Sequence, residues 1–277
     1  MTGQDRPPVI VRGAGDISTG TIHRLFKAGF RVLALESAYP SAIRRKVAFS
    51  EAVYDGTCMV EGVTAVRISE AAQAKAVWES GRLPVLVDPQ GDSILSLKPS
   101  VVVDAILAKR NLGTRLDMAP LTIGLGPGFE AGRDVHYVIE TMRGHDLGRI
   151  IESGCAMANT GTPGLIAGYG AERVVRSPAE GTFRMLRDIG SIVSAGEEIG
   201  SVVTGTGGGT VEISVRAAIA GVLRGILRDG YPVTKGFKLA DVDPREEELK
   251  NCFTISDKAR CIAGSVLELV CRGMWNN

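Results

Sequence analysis

Aromatic side chains are scarce, at 5% of the 277 residues, so any core must be built mainly from aliphatic packing. Cysteine is sparse as well. The five cysteines, Cys58, Cys155, Cys252, Cys261 and Cys271, are odd in number and show no C-x-x-C spacing, which argues against a disulfide framework and a zinc ribbon. No apolar run approaches the ~20 residues of a membrane span; the longest, Val101–Val103 continuing through Ala105–Ala108, is far too short. An excess of one charge is missing too, since 32 Lys and Arg face 31 Asp and Glu with no polybasic run. That balance disfavours nucleic acid or an anionic membrane as the main partner. Met1–Pro8 is polar and lacks the apolar centre of a signal peptide, so the expected compartment is the cytoplasm. His136 and His145 have neither helical H-x-x-x-H spacing nor a companion cysteine, and no metal site is expected.

Glycine is what the chain has in excess. Of 35 glycines, 24 fall between Gly113 and Gly236, without the G-X-Y period of collagen.

Near the N-terminus, the β-branched run Val9-Ile10-Val11 feeds a glycine turn, Gly13–Gly20 (GAGDISTG). A helical pattern through Ile22, Leu25 and Phe26 follows, then a second strand, Arg31–Leu35, closed by Glu36. Such a turn suits an anion: Gly13 allows the tight bend, Gly15 lets backbone approach a pyrophosphate, and the helix N-terminus presents N–H groups. Glu36, 21 residues beyond Gly15, stands where an acid accepts hydrogen bonds from a ribose. The third fingerprint position is Ser18 instead of glycine, with Gly20 two residues on, so a plain tight turn between strand and helix is the competing reading. Arg44 and Arg45, with Lys46, either meet a ligand phosphate or line a solvated face. The α/β rhythm continues through strands at Val63–Ile68, Pro84–Asp88 and Lys98–Ala105, with an Ala-rich helix over Ser69–Gly81. Asp88 and Asp104 fall at strand carboxyl ends, as loop caps or as site residues.

In the middle, Gly124–Gly132 spaces glycines so that successive N–H groups form an anion nest or an elaborate hairpin, with Gly126 and Gly128 as candidate ligand contacts. A strand over Val135–Thr141 leaves Glu140 near its end and Arg143 and His145 on the next turn. These three are the candidate catalytic residues, set against a purely structural charge network. Asn159–Gly164 (NTGTPG) reads as a tight loop. Cys155, just before it, is a sulfur nucleophile or, more simply, a small buried residue.

The clearest pattern is a duplication at an offset of 40, with eight identities that include Val175/Val215, Gly181/Gly221, Gly190/Gly230 and Gly196/Gly236. Each copy reads as strand, bend, strand, turn, strand. This stretch resembles the barrel-sandwich hybrid of biotinyl and lipoyl carriers, which place a lysine on the hairpin between halves. Here Thr204–Thr210 has none, so no swinging arm is expected. Ser256 caps a final helix carrying Ile262, Ala263, Val266, Leu267 and Val270, ended by Gly273.

The expected fold is therefore α/β. A Rossmann-like nucleotide-binding domain spans 1–132, a glycine-rich connecting segment 133–171, a barrel-sandwich hybrid built from the 40-residue duplication 172–245, and a C-terminal helix 246–277. GAGDISTG, LGPGFEAGRDVHYVIETMRGHDLGR, NTGTPG and GVLRGILRDGYPVTKGFKLADVDPR together resemble the bacterial selenium-dependent molybdenum hydroxylase system proteins. The Rossmann part is similar to the molybdenum-cofactor chaperones of xanthine dehydrogenase. That resemblance implies an accessory role in maturing molybdenum hydroxylases, the hydroxylase apoenzyme as partner, and a molybdenum cofactor dinucleotide as ligand. Gly13, Gly15 and Ser18 would take a phosphate, Glu36 a ribose, Arg44 or Arg45 the remaining charge, and Gly126 and Gly128 a second wall. The alternative from another class is an NAD(P)-dependent oxidoreductase with His145 as proton donor, because a nucleotide fingerprint does not specify a reaction.

Overall fold

The computed structural model describes residues 7–161, 164–206 and 209–275. Met1–Arg6, Thr162 and Pro163 of the NTGTPG loop, and Gly207 and Gly208 of the expected hairpin, lie outside the described residues. The chain forms two compact units, one of Met1–Pro40, Ala48–Thr160 and Ile255–Asn277, the other of Ser41–Val47 and Gly161–Thr254.

The first unit begins with β1 (Val9–Arg12), α1 (Asp16–Lys27) and β2 (Val32–Glu36). Next come α2 (Ala52–Asp55), β3 (Thr57–Val60), β4 (Val63–Ile68), α3 (Ala74–Glu79), β5 (Leu83–Val87), α4 (Ser93–Leu97) and β6 (Val101–Asp104). It continues through β7 (Leu121–Leu125), β8 (Glu130–Ala131), β9 (Tyr137–Ile139), β10 (Ile150–Ile151) and β11 (Gly154–Cys155). A last helix, α5 (Asp257–Trp275), returns to this unit.

Nine of these strands form one sheet in the order β10-β9-β7-β6-β1-β2-β5-β4-β3. Its aliphatic interior, with Ile10, Leu33, Leu35, Leu86 and Val102 all buried, follows from the β-branched and leucine runs of the sequence.

This corrects the expected fold class. In place of a Rossmann-like parallel sheet, the sheet is mixed. β3 runs antiparallel to β4, and β10 antiparallel to β9. The cause at one edge is local: Glu61 and Gly62 both take positive φ, 44° and 75°, which is the geometry of a two-residue hairpin turn. Several crossovers also carry little helix. The expected Ser69–Gly81 helix is a 3-10 turn, Ala71–Gln73, followed by six residues of α3. Between β6 and β7 there is only the 3-10 turn Leu116–Met118.

The second unit corrects the other half of that expectation. In place of a barrel-sandwich hybrid, its strands lie in two four-stranded antiparallel sheets, ordered β12-β19-β17-β14 and β16-β15-β13-β18. The strands are β12 (Val174–Arg176), β13 (Gly181–Met185), β14 (Ile192–Val193), β15 (Glu198–Thr206), β16 (Gly209–Arg216), β17 (Gly221–Ile226), β18 (Pro232–Val233) and β19 (Lys238–Asp243). β15 and β16 pair along their whole length, from Glu198↔Arg216 to Thr206↔Gly209, so the segment between the two copies is a long ribbon.

The copies exchange strands. Gly181 of the first pairs with Val233 of the second, and Gly221 of the second pairs with Val193 of the first. The hydrogen bonds are reciprocal at the same offset: Gly190 N–H donates to Leu223 O (2.9 Å) and Gly230 N–H to Phe183 O (2.8 Å). Phe183, Ile199, Val202, Leu223, Leu239 and Val242, drawn from both copies, share one buried core. Ser41–Val47 is sewn into this unit by the Ile226 N–H, which donates to Ile43 O at 2.8 Å.

No helix among the described residues is long and apolar enough to cross a membrane.

Candidate active site at the carboxyl edge of the sheet

The parallel strands β1, β6, β7 and β9 end on one edge of the sheet, the edge where open α/β sheets place their ligands. The glycine turn leaves β1 there. Gly13 has φ 95°, and a methyl on it would stand 2.8 Å from Ala105 O, so both backbone angle and space require glycine. Glu36 braces the turn: one carboxylate oxygen accepts the Ala14 N–H and the other the Ser37 N–H, each at 2.7 Å. Ser18 is buried and turns its hydroxyl back to Gly15 O at 3.1 Å.

Gly15 is different. Its φ of −66° suits any residue, and a methyl there would meet nothing nearer than Ser18 Oγ at 3.9 Å. It is the N-cap of α1, and no side chain caps that first turn. Glycine at an N-cap costs only a few tenths of a kcal/mol relative to serine or aspartate, so the start of this helix is left open by a side chain at little cost.

Under the turn lies a buried network. Arg12, 1% exposed, donates to Thr114 Oγ1 at 2.5 Å, and Thr114 donates in turn to Asp104 Oδ2 at 2.6 Å. Arg12 also reaches Pro89 O and Leu112 O, tying the loops after β5 and β6 to the end of β1. Burial pushes the Asp104 carboxyl up, against the Thr114 hydroxyl, the Ile106 N–H and the Arg12 charge. Asp88 caps the next loop, accepting from the Gly91, Asp92 and Ser93 N–H groups and the Ser93 hydroxyl. Burial pushes its pKa up, but these four donors hold it below the usual carboxylate value. Beyond β6 the chain passes through Leu107 and Lys109, with φ of 60° and 63°, a left-handed backbone that non-glycine residues rarely adopt.

Glu140 follows β9 and is 3% exposed. Its two oxygens accept the Met142 N–H (2.7 Å) and the Met157 N–H (2.8 Å). Arg143 makes a two-point pair with Asp257, at 2.8 and 3.0 Å, in the first turn of α5. His145 is exposed on the following turn. Gly126 and Gly128 are filled by protein: methyls there would meet Thr141 Oγ1 at 2.5 Å and the Arg110 backbone at 2.6 Å. Arg44 is buried and donates to Asn251 O and Thr254 O within the second unit. Arg45 is bound there to Ile226 O and Asp188. Cys155 is an exposed free thiol on β11.

The residue that sequence reading missed is Lys258. It is half-buried in the first turn of α5, and burial, followed by the neighbouring Arg143 charge, holds its ammonium below the usual lysine value. Asp16, Glu140 and Asp257 pull the other way. One signal was present in the sequence: a lysine directly after Ser256-Asp257 sits at the positive end of a helix dipole, where acids are the stabilising choice. Among the described residues no three His, Cys, Asp or Glu side chains are grouped to hold a metal ion.

Comparison with known proteins gives this site no name. No family model matches the chain. It is 51% identical over 260 residues to the uncharacterized protein YqeB of Escherichia coli (strain K12), a match covering 94% of this chain and 46% of that protein. The chain thus spans about half the length of that curated relative. Among solved structures it is similar to the ectoine utilization protein EutE (DoeB) of Ruegeria pomeroyi, at 13% identity and TM-score 0.28, over 86% of this chain and 85% of that one. An aspartoacylase family protein of Mesorhizobium loti gives 12% and 0.29, again over 86% and 85%. A succinylglutamate desuccinylase/aspartoacylase of Rhodobacter sphaeroides gives 12% and 0.28 over the same shares. Scores this low lend no activity to the chain.

These findings correct the family expectation. What they name are ectoine-utilization, aspartoacylase and desuccinylase proteins, and none is an accessory protein of selenium-dependent molybdenum hydroxylases. The maturation role, the hydroxylase apoenzyme as partner and the molybdenum cofactor dinucleotide fall with that family. The NAD(P)-dependent oxidoreductase is likewise unsupported by any of these neighbours.

Proposed function

We propose that the chain binds a small organic anion at the carboxyl edge of the nine-stranded sheet. The turn Gly13–Ser18 is its cradle. The observation that carries this reading is Gly15, a glycine that nothing inside the protein requires, at the uncapped start of a 12-residue helix. Helix N-termini favour anions through their N–H groups and dipole, and a missing Cβ lets an anion come close. Glu36 then serves the site by fixing the turn, and Glu140 by fixing the segments that carry Arg143 and Met157. The cytoplasm suits this reading, since all five cysteines are free thiols.

Calorimetric titration with inorganic phosphate, acetate, lactate and pyruvate tests it. At least one should bind the wild type, and Gly15→Ala should weaken that binding at least about tenfold while unfolding within a few degrees of the wild-type temperature. Unchanged affinity in Gly15→Ala, or no binding across the series, overturns the proposal.

A further inference from the structure

The two copies of the second unit correspond position for position, yet one is covered where the other is open. Ile226, the last residue of β17, has 0% of its surface exposed, whereas Leu186, its counterpart 40 residues earlier, is 63% exposed. The flanking positions follow suit: Gly225 and Leu227 are buried, while Met185 is half-buried and Arg187 exposed.

What covers Ile226 is the segment Ser41–Val47. The Ile226 N–H donates to Ile43 O at 2.8 Å, Arg45 Nε donates to Ile226 O at 2.8 Å, and Ile43 packs against the core of the unit. The Arg45 guanidinium then crosses to the other copy and donates to Asp188 at 2.6 Å. Around Leu186 the backbone has no such partner. The Leu186 N–H shares Ile199 O with the Arg187 N–H, at 3.0 and 3.1 Å. In the covered copy the matching donors divide, Leu227 N–H to Leu239 O and Ile226 N–H to Ile43 O. Among the described residues no hydrogen bond reaches the Leu186 carbonyl. The unit thus holds a filled and an open version of one site for an extended segment, which backbone bonds secure and side chains select.

Charge says what the open version takes. Asp188, which receives Arg45, has Arg228 as its counterpart. A segment lying on Leu186 as Ser41–Val47 lies on Ile226 brings the residue in the place of Arg45 toward Arg228, so an acid belongs there. Met185 stands where Gly225 admits Ile43 O, which holds such a segment slightly farther out.

We propose that Leu186 is the docking point for an extended segment of a partner protein, with an aliphatic residue in the place of Ile43 and Asp or Glu two residues later. The test uses the full chain, isotopically labelled for NMR, and two synthetic peptides. One has the sequence of Ser41–Val47; the other is identical except for glutamate in the place of Arg45. The glutamate peptide should bind about tenfold tighter by calorimetry and should shift the Leu186 amide resonance. Leu186→Glu should abolish that binding while unfolding within a few degrees of the wild type, because the side chain is exposed. Arg228→Glu should reverse the order of the two peptides, and the comparison on the wild type decides the matter even where that variant folds poorly. Binding indifferent to the glutamate, an unmoved Leu186 amide, or no binding at millimolar peptide overturns the proposal. So does a dimer that forms without peptide and is lost in Leu186→Glu, since it gives the face to a second copy of the chain.

Discussion

Gly20 of α1 faces Ala259 of α5 so closely that a methyl on Gly20 would stand 2.8 Å from both the Ala259 Cβ and its carbonyl oxygen. The two helices carry Asp16 and Lys258 in their first turns, so this contact sets the spacing of those two turns. Because the obstacle includes backbone, the helices must separate to admit a larger residue. Gly20→Ala should lower stability by about 1–3 kcal/mol, read from urea unfolding. Ala259→Gly in the same chain should recover part of that loss. A wild-type midpoint for Gly20→Ala would show that the helices are free to slide.

Much of the first unit was legible because its signals are local. β4 at Val63–Ile68 follows from alternation and its bounding turns. The glycine turn follows from a β-branched strand running into GAG, and Ser256 does cap α5, accepting the Ala259 N–H at 3.2 Å. Gly273 does not end that helix, which runs on to Trp275. Ser18 holds the third fingerprint position, but the tight helix contact falls on Gly20, and Ser18 bonds within its own turn. What stayed hidden was long-range. Arg12 reads as the end of a strand until Thr114 and Asp104 are folded beside it, and Lys258 reads as a solvated helix residue until Arg143 arrives from β9. Likewise the offset of 40 announced two interlocking copies, but not which strands each lends to the other's sheet.

His136 gives the first unit a pH dependence of definite sign. Its Nδ1 accepts the Thr122 N–H at 3.0 Å and lies 2.8 Å from the Thr122 hydroxyl, a role only the neutral ring can fill. Burial holds its pKa below the 6.5 of an unburied imidazole. The unfolded chain therefore takes up more protons as the pH falls through 6.5, so this contribution is complete above that pH and is lost progressively below it. Urea midpoints should drop between about pH 7.5 and pH 5, and His136→Gln should show a shallower drop. Parallel slopes in the two proteins would remove His136 as the source.

Gly181 and Gly221 form a matched pair of vulnerable points in the second unit. Their φ values are 157° and 149°, and methyls there would overlap Val203 O and Asp243 O. Each alanine substitution should cost roughly 2–4 kcal/mol, since the cross-strand backbone must move. The two losses should agree within about 1 kcal/mol because the environments are copies. Thermal unfolding of the single variants checks this, and a large effect at one glycine with none at the other would break the equivalence.

The reciprocal bonds from Gly190 to Leu223 and from Gly230 to Phe183 give the second unit the logic of a tethered homodimer. A single 40-residue half has edges and a core face that only another half can satisfy, so on its own it would have to find a second chain and would fold only above some concentration. The β15–β16 ribbon joins the halves covalently and replaces that search by an intramolecular encounter. The same tether lets the halves diverge: with partners permanently joined, one copy can accumulate loop and surface changes without having to match itself.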